Sequence, residues 1–177
     1  MILVTDCGLR IETLSIYFVF FREEEKMIDL NGLKSIIQLS YFNDSMLEKL
    51  LKITDIIEYK AGDYIFKEGD DAKILYAVID GKIGLEVEKT SSTRILIDTI
   101  IQGMMLGFST LVNTEKQSYT TSARVLTDTK LFAWSADDLE TLFSQDYEMG
   151  FLFMKRIAKI VKTRLQIRNV QFLDIYK

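Results

Sequence analysis

The sequence predicts an α+β fold: an antiparallel barrel or roll of short strands, preceded by a helical segment and followed by one long helix. Three observations carry this expectation. Between Ala61 and Leu85, glycines fall at 62, 69, 81 and 84 with short alternating apolar segments between them. Each Gly-Asp or Asp-Gly pair is turn chemistry, because glycine tolerates φ > 0 and aspartate bonds its own backbone two residues on. Apolar residues recur with helical spacing on both sides of this stretch, over 29–51 and again from Tyr147. Finally, 177 residues at 48% apolar and 27% charged match one globular domain with a real core.

Residues 1–26 stand apart. Ile16 to Phe21 is apolar but short, and Arg22-Glu-Glu-Glu-Lys26 then precedes a second methionine, Met27. Arg, Glu and Lys all have purine-rich codons, so a ribosome-binding site read in frame would look like this. Two readings stand: a natural start at Met27, or an extra N-terminal strand or helix. The single domain is expected over 27–177. From Asp29 to Leu51 the pattern is helical, with Leu33, Ile36, Ile37 and Leu39 as one short stripe. Asn43-Asp44-Ser45 reads as an N-cap before Met46, Leu47, Leu50 and Leu51, after an aromatic hinge at Tyr41-Phe42.

Ile53 to Tyr59 reads as the first strand, followed by Tyr64-Ile65-Phe66, Ile74 to Ile79 and Ile83 to Val87. Thr90-Ser91-Ser92 is a hairpin turn into Thr93 to Ile100. Gly103 and Gly107 bracket Met104-Met105-Leu106, and Val125 to Ser135 supplies the closing strands around a turn at Thr127-Asp128. Ser135 reads as an N-cap with Asp137 and Asp138 in the first turn of a short helix ending near Phe143. Trp134 with Phe132, two apart, is read as strand burial.

The glycine-rich stretch and the segment V-L-T-D-T-K-L-F-A-W-S-A-D-D-L-E-T-L-F resemble the cyclic-nucleotide-binding domain family of the catabolite activator type. The resemblance covers residues 40 to 168 or so. It implies an eight-stranded β-roll (a double-stranded β-helix, jelly-roll-like) between N-terminal helices and a long C-terminal helix. In that family the nucleotide phosphate is held by a segment reading roughly F-G-E-x-A-L, a loop, then R-x-A. Backbone N–H groups cradle the phosphate, the arginine neutralises it and the glutamate takes the ribose hydroxyl.

Here the segment reads Leu106-Gly107-Phe108-Ser109-Thr110-Leu111-Val112, then a loop, then Tyr119-Thr120-Thr121-Ser122-Ala123. Gly107 matches the family glycine and Leu111 the apolar end of its short helix. Phe108 takes the glutamate position and Tyr119 the arginine position, while Thr120 retains a hydroxyl. The resemblance therefore implies a degenerate site: weak cyclic nucleotide binding, none, or a flatter and less charged small ligand. A charge-assisted bond to phosphate is worth about 1.5–3 kcal/mol. Losing it and the ribose contact together weakens binding by roughly two to four powers of ten. Lys116 lies in the loop. Arg124 is out of strand phase with Tyr119 and should face away.

The last helix, expected over 147–170, carries apolar residues at 149, 153, 157, 160, 161 and 165, with others at 151, 152 and 167. It resembles the family helix through which many members dimerise, so a homodimer or a partner protein is expected. From Tyr147 onward there are seven Lys/Arg against two Asp/Glu, and elsewhere 15 against 24. A solvated face is the simplest account of that basic side, contact with an acidic partner or the acidic body of a second subunit is the next, and a nucleic acid or membrane surface the last. With a net charge of −4, nucleic acid is not an expected partner. A transcription factor of this type would need roughly 60–80 further residues for a helix-turn-helix, so a sensor-type module is expected.

Catalysis is not expected. The chain has no histidine, which removes Ser-His-Asp and Cys-His arrangements and any imidazole metal site. No metal or cofactor is implied beyond a small ligand in the cassette. One cysteine, Cys7, cannot form an internal disulfide and suits a cytoplasmic chain. No apolar run approaches the ~20 residues that span a bilayer.

Overall fold

Two hydrophobic cores share one sheet, and the strands that separate them feed both. The computed structural model describes residues 30–90, 93–112 and 117–175. The reading of residues 1–26 lies outside them, as does the hairpin turn at Ser91-Ser92. Helix α1 occupies 30–35 and a 3₁₀ turn follows at Ile37–Leu39. Helix α2 spans Asp44–Leu51, its N-terminus satisfied by the Asn43 side chain, which accepts from the Met46 N–H at 2.9 Å. The strands are β1 (Asp55–Tyr59), β2 (Tyr64–Phe66), β3 (Ile74–Thr90), β4 (Thr93–Ile101), β5 (Met105–Leu106) and β6 (Ser122–Ser135). Helices α3 (Ala136–Gln145) and α4 (Tyr147–Ile175) complete the order.

The expected class holds, but the strand count differs. Among the described residues, six continuous strands replace eight because two are long enough to act twice. All pairings are antiparallel in the order β1-β6-β3-β4, with β2 also on β6 and β5 also on β3. The first half of β3 pairs with β5 and its second half with β4. The bend between the halves is at Gly81, which has φ +103°. Opposite it, the register along β6 slips from Asp80↔Lys130 to Lys82↔Thr127, so Asp128 and Thr129 form a bulge. The turn expected at Thr127-Asp128 is that bulge. Its carboxylate accepts from the Ala61 N–H (3.0 Å) and the Lys60 ammonium (2.8 Å), pinning the preceding turn to it.

Alternation along β3 and β6 sends successive residues to opposite faces. Leu75, Ala77, Phe132 and Trp134 join Leu33, Ile36, Leu50, Met149 and Phe153 in a helical core. Tyr76, Val78, Leu131 and Ala133 join Phe66, Ile83, Leu85, Ile100 and Tyr119 inside the roll. Trp134 is fully buried, and its indole N–H is satisfied by Thr54 Oγ1 at 2.8 Å.

Helix α4 begins where α3 ends. Asp146 closes α3 by donating its N–H to Leu142 O and caps α4 by accepting from the Met149 N–H. Lys49 of α2 reaches the same carboxylate at 2.7 Å, tying three helices together. Met149, Phe153, Ile157 and Ile160 form the core-facing stripe of α4. Val161 and Leu165 do not continue it; they are exposed.

Candidate functional site

Gly107 sets the geometry of the cassette. Its φ of +88° turns the chain from β5 into a four-residue 3₁₀ helix, Phe108–Leu111. A side chain there would also have no room: a Cβ would lie 2.9 Å from Ile74 O and 3.5 Å from the Tyr119 ring. The glycine thus brings the start of β3, the 3₁₀ helix and the 117–121 segment into contact.

That segment is held as a short antiparallel partner of the turn before β3. Tyr119 N–H donates to Asp70 O, Gly69 N–H to Tyr119 O and Ala72 N–H to Gln117 O, each at 2.9 Å. Tyr119 consequently points into the roll and is only 5% exposed. Its ring stacks on Phe66 with centroids 3.8 Å apart and planes 12° from parallel. Its hydroxyl donates to Ile74 O at 2.7 Å and accepts from Ile74 N–H at 3.1 Å. Phe66 lies in turn against Tyr76, at 6.1 Å between centroids.

The electrostatics match the packing. Burial pushes the Tyr119 phenol above its ordinary value, outweighing the bond to Ile74 that works the other way. Burial likewise raises Tyr76, helped by the neighbouring Tyr119 and Tyr59. Where the resemblance implies a cation for a phosphate, the chain presents a neutral aromatic stack already bonded to its own backbone.

The remaining cassette residues part company. Thr110 is buried, and its backbone N–H donates to Gly107 O at 3.1 Å. Ser109 is half-buried. Leu111 packs on the helical core, and so does Phe108, which therefore does not share the roll interior with Tyr119. Thr120 is exposed and Thr121 half-buried. Gly107 and Tyr119 are brought together; Phe108 and Thr120 are not brought to them.

Of the two candidate cations, only Arg124 falls among the described residues; Lys116 lies outside them. Arg124 faces out of the roll, its Nε on the buried carboxylate of Glu86 at 2.8 Å. Glu86 also meets the Tyr64 hydroxyl at 3.3 Å, and Arg94 reaches that hydroxyl from β4. A cation that sequence reasoning passed over stands on the other side: the Arg164 guanidinium lies 5.2 Å from the Phe108 ring centroid, with Nε 3.6 Å from Asp98. It sits four residues beyond Ile160 on the core-facing stripe, a spacing that could have placed it against the cassette. Among the described residues no group of His, Cys, Asp and Glu could hold a metal.

A family model described as the cyclic nucleotide-binding domain matches residues 56–146. Among curated proteins, the chain is similar to the neuropathy target esterase sws of Drosophila willistoni, at 24% identity over 139 residues. That match covers 76% of this chain and 9% of the esterase, so the chain spans less than a tenth of that relative. Among solved structures, it is similar to a cyclic nucleotide-binding domain from Methylobacillus flagellatus, with a TM-score of 0.71 at 14% identity. The match covers 85% of this chain and 84% of the other. The catabolite activator protein of Thermus thermophilus gives 0.66 at 22% identity, over 78% of this chain and 62% of its own. At these identities the structural likeness speaks to the fold alone.

Proposed function

The chain belongs to the cyclic nucleotide-binding domain family, and we propose that it is a non-catalytic regulatory module whose roll no longer takes a cyclic nucleotide through the usual phosphate contacts. One observation carries this reading. Tyr119, at the position the family gives to its phosphate-pairing arginine, is stacked on Phe66 and bonded at both ends of the Ile74 peptide pair. Admitting a phosphate there requires breaking the stack, exposing a buried N–H and desolvating an anion beside a neutral phenol. Each of those costs free energy, and a neutral phenol supplies no positive charge to offset them.

The module's output passes through α4. Tyr147, Phe151, Met154, Ala158, Val161 and Leu165 fall alternately four and three residues apart, and all are exposed. That is the seam of a two-stranded coiled coil. Burying a large apolar side chain is worth about 1.5–3 kcal/mol. Five such residues from each copy are sufficient to offset the 4–15 kcal/mol or so lost on association. The proposed assembly is a homodimer through this seam, and a reducing cytoplasm suits a chain with one cysteine.

Thermal unfolding of the full chain with cyclic AMP or cyclic GMP at about 1 mM tests the ligand reading. The expected result is an unchanged Tm. A micromolar binder would add about 4 kcal/mol at a thousandfold excess over its Kd, a shift that could not be missed and that would overturn the proposal.

A further inference from the structure

On the side of the molecule formed by α4 and the hinge before α2, Leu152, Lys155, Arg156 and Lys159 line one face of the helix at three- and four-residue spacings. With Tyr41 they line a recess of about 220 Å³. It is separate from the cassette and borders the apolar seam at Lys155, whose ammonium lies 5.8 Å from the Phe151 ring centroid. Its wall is mostly apolar, supplied by Tyr41, Leu152 and the lysine stems, while its three charges are all positive.

Among the described residues those charges have no counter-ion. None of Lys155, Arg156 or Lys159 has a carboxylate within 4.0 Å among the described residues. Arg156 lies over the Tyr41 ring at 5.5 Å and donates one N–H to Ile37 O at 3.3 Å. Its Nε is buried and has no hydrogen-bond partner among the described residues. A buried guanidinium N–H without an acceptor is costly, and native structures leave few of them. Here the unsatisfied donor belongs to a side chain that lines a cationic recess.

We propose that this recess binds a small organic anion, a carboxylate carried on a short apolar body. A carboxylate matches the planar donor fork of an arginine and two flanking ammonium groups. The apolar wall accounts for the body. At roughly 30 Å³ for each water-sized group, the volume admits a chain of about six or seven carbons. Inorganic phosphate would satisfy the charges but leave Tyr41 and Leu152 uncovered.

The test is calorimetric titration of the full chain with hexanoate, with 1-hexanol as the probe of equal body and no charge. Saturable 1:1 binding of hexanoate below about 5 mM is expected, with hexanol at least about tenfold weaker. The double variant K155Q/K159Q, which alters only exposed side chains, should weaken hexanoate by about tenfold or more, as loss of charge-assisted bonds requires. No saturable binding of hexanoate, equal binding of hexanol, or an unaffected K155Q/K159Q variant would each overturn the proposal. None of these results bears on cyclic nucleotide binding, so the two readings succeed or fail separately.

Discussion

Tyr119 is anchored twice over, by its ring on Phe66 and by its hydroxyl on the Ile74 backbone, and the two anchors can be separated. In Tyr119→Phe the stack remains but Ile74 loses an acceptor inside the roll. The expected cost is about 1–3 kcal/mol in chemical denaturation, the penalty for an unsatisfied buried donor. Tyr119→Ala removes both anchors and should cost about 3–5 kcal/mol, as for other buried aromatics. A pair of values within experimental error of native would mean that the residue is not packed as described. The sequence already showed that an aromatic stands where an arginine is expected. It could not show the stacking partner, since Phe66 is distant in the chain and nothing in Y-I-F marks which ring turns inward. The divergence of Phe108 from Tyr119 was equally hidden, because adjacency within a motif does not imply a shared cavity.

At the scale of elements, the bend in β3 and the junction of α3 with α4 decide where the site residues sit. Gly81→Ala would place a Cβ 2.2 Å from Thr129 Oγ1 and 2.6 Å from Asp128 O, at a φ that L-residues rarely adopt. The strain alone costs about 1–3 kcal/mol, and the clash adds to it, so a loss of at least about 2 kcal/mol is expected in urea unfolding. The helix junction has a pH signature. The Lys49 ammonium, and then the Met149 N–H, hold the Asp146 carboxyl below its ordinary range. A depressed native value means that its stabilisation is complete above the ordinary carboxylate value and is lost as pH falls through the depressed one. Asp146→Asn should therefore lower Tm near neutrality and flatten the acid limb of Tm against pH. An unchanged limb would separate Asp146 from acid sensitivity. Gly81 was legible as a turn, but not as a bend within one continuous strand, because a hairpin and a bulge use the same residue chemistry. In α4 the periodicity was legible as helix, yet core and seam residues were merged into one stripe. Two apolar stripes on one helix overlap in a list of positions and separate only when a neighbour occupies one of them.

For the whole molecule, two cores are built on the two faces of β3 and β6, and the cassette divides between them, Tyr119 entering the roll and Phe108 and Leu111 packing on the helical core. Fold class was readable because glycine turns, strand alternation and helical spacing agree with one another. The exposed seam of α4 predicts the assembly: Val161→Glu/Leu165→Glu should convert a dimer to a monomer in light scattering at tens of micromolar, with little change in the fold. A native chain that is monomeric under those conditions would remove the proposed output path. The central claim is that the roll is filled by its own tyrosine rather than by a nucleotide, and calorimetric titration of the native full chain with cyclic AMP tests it most directly. No saturable heat up to about 1 mM is the predicted result; stoichiometric binding at micromolar strength would contradict it.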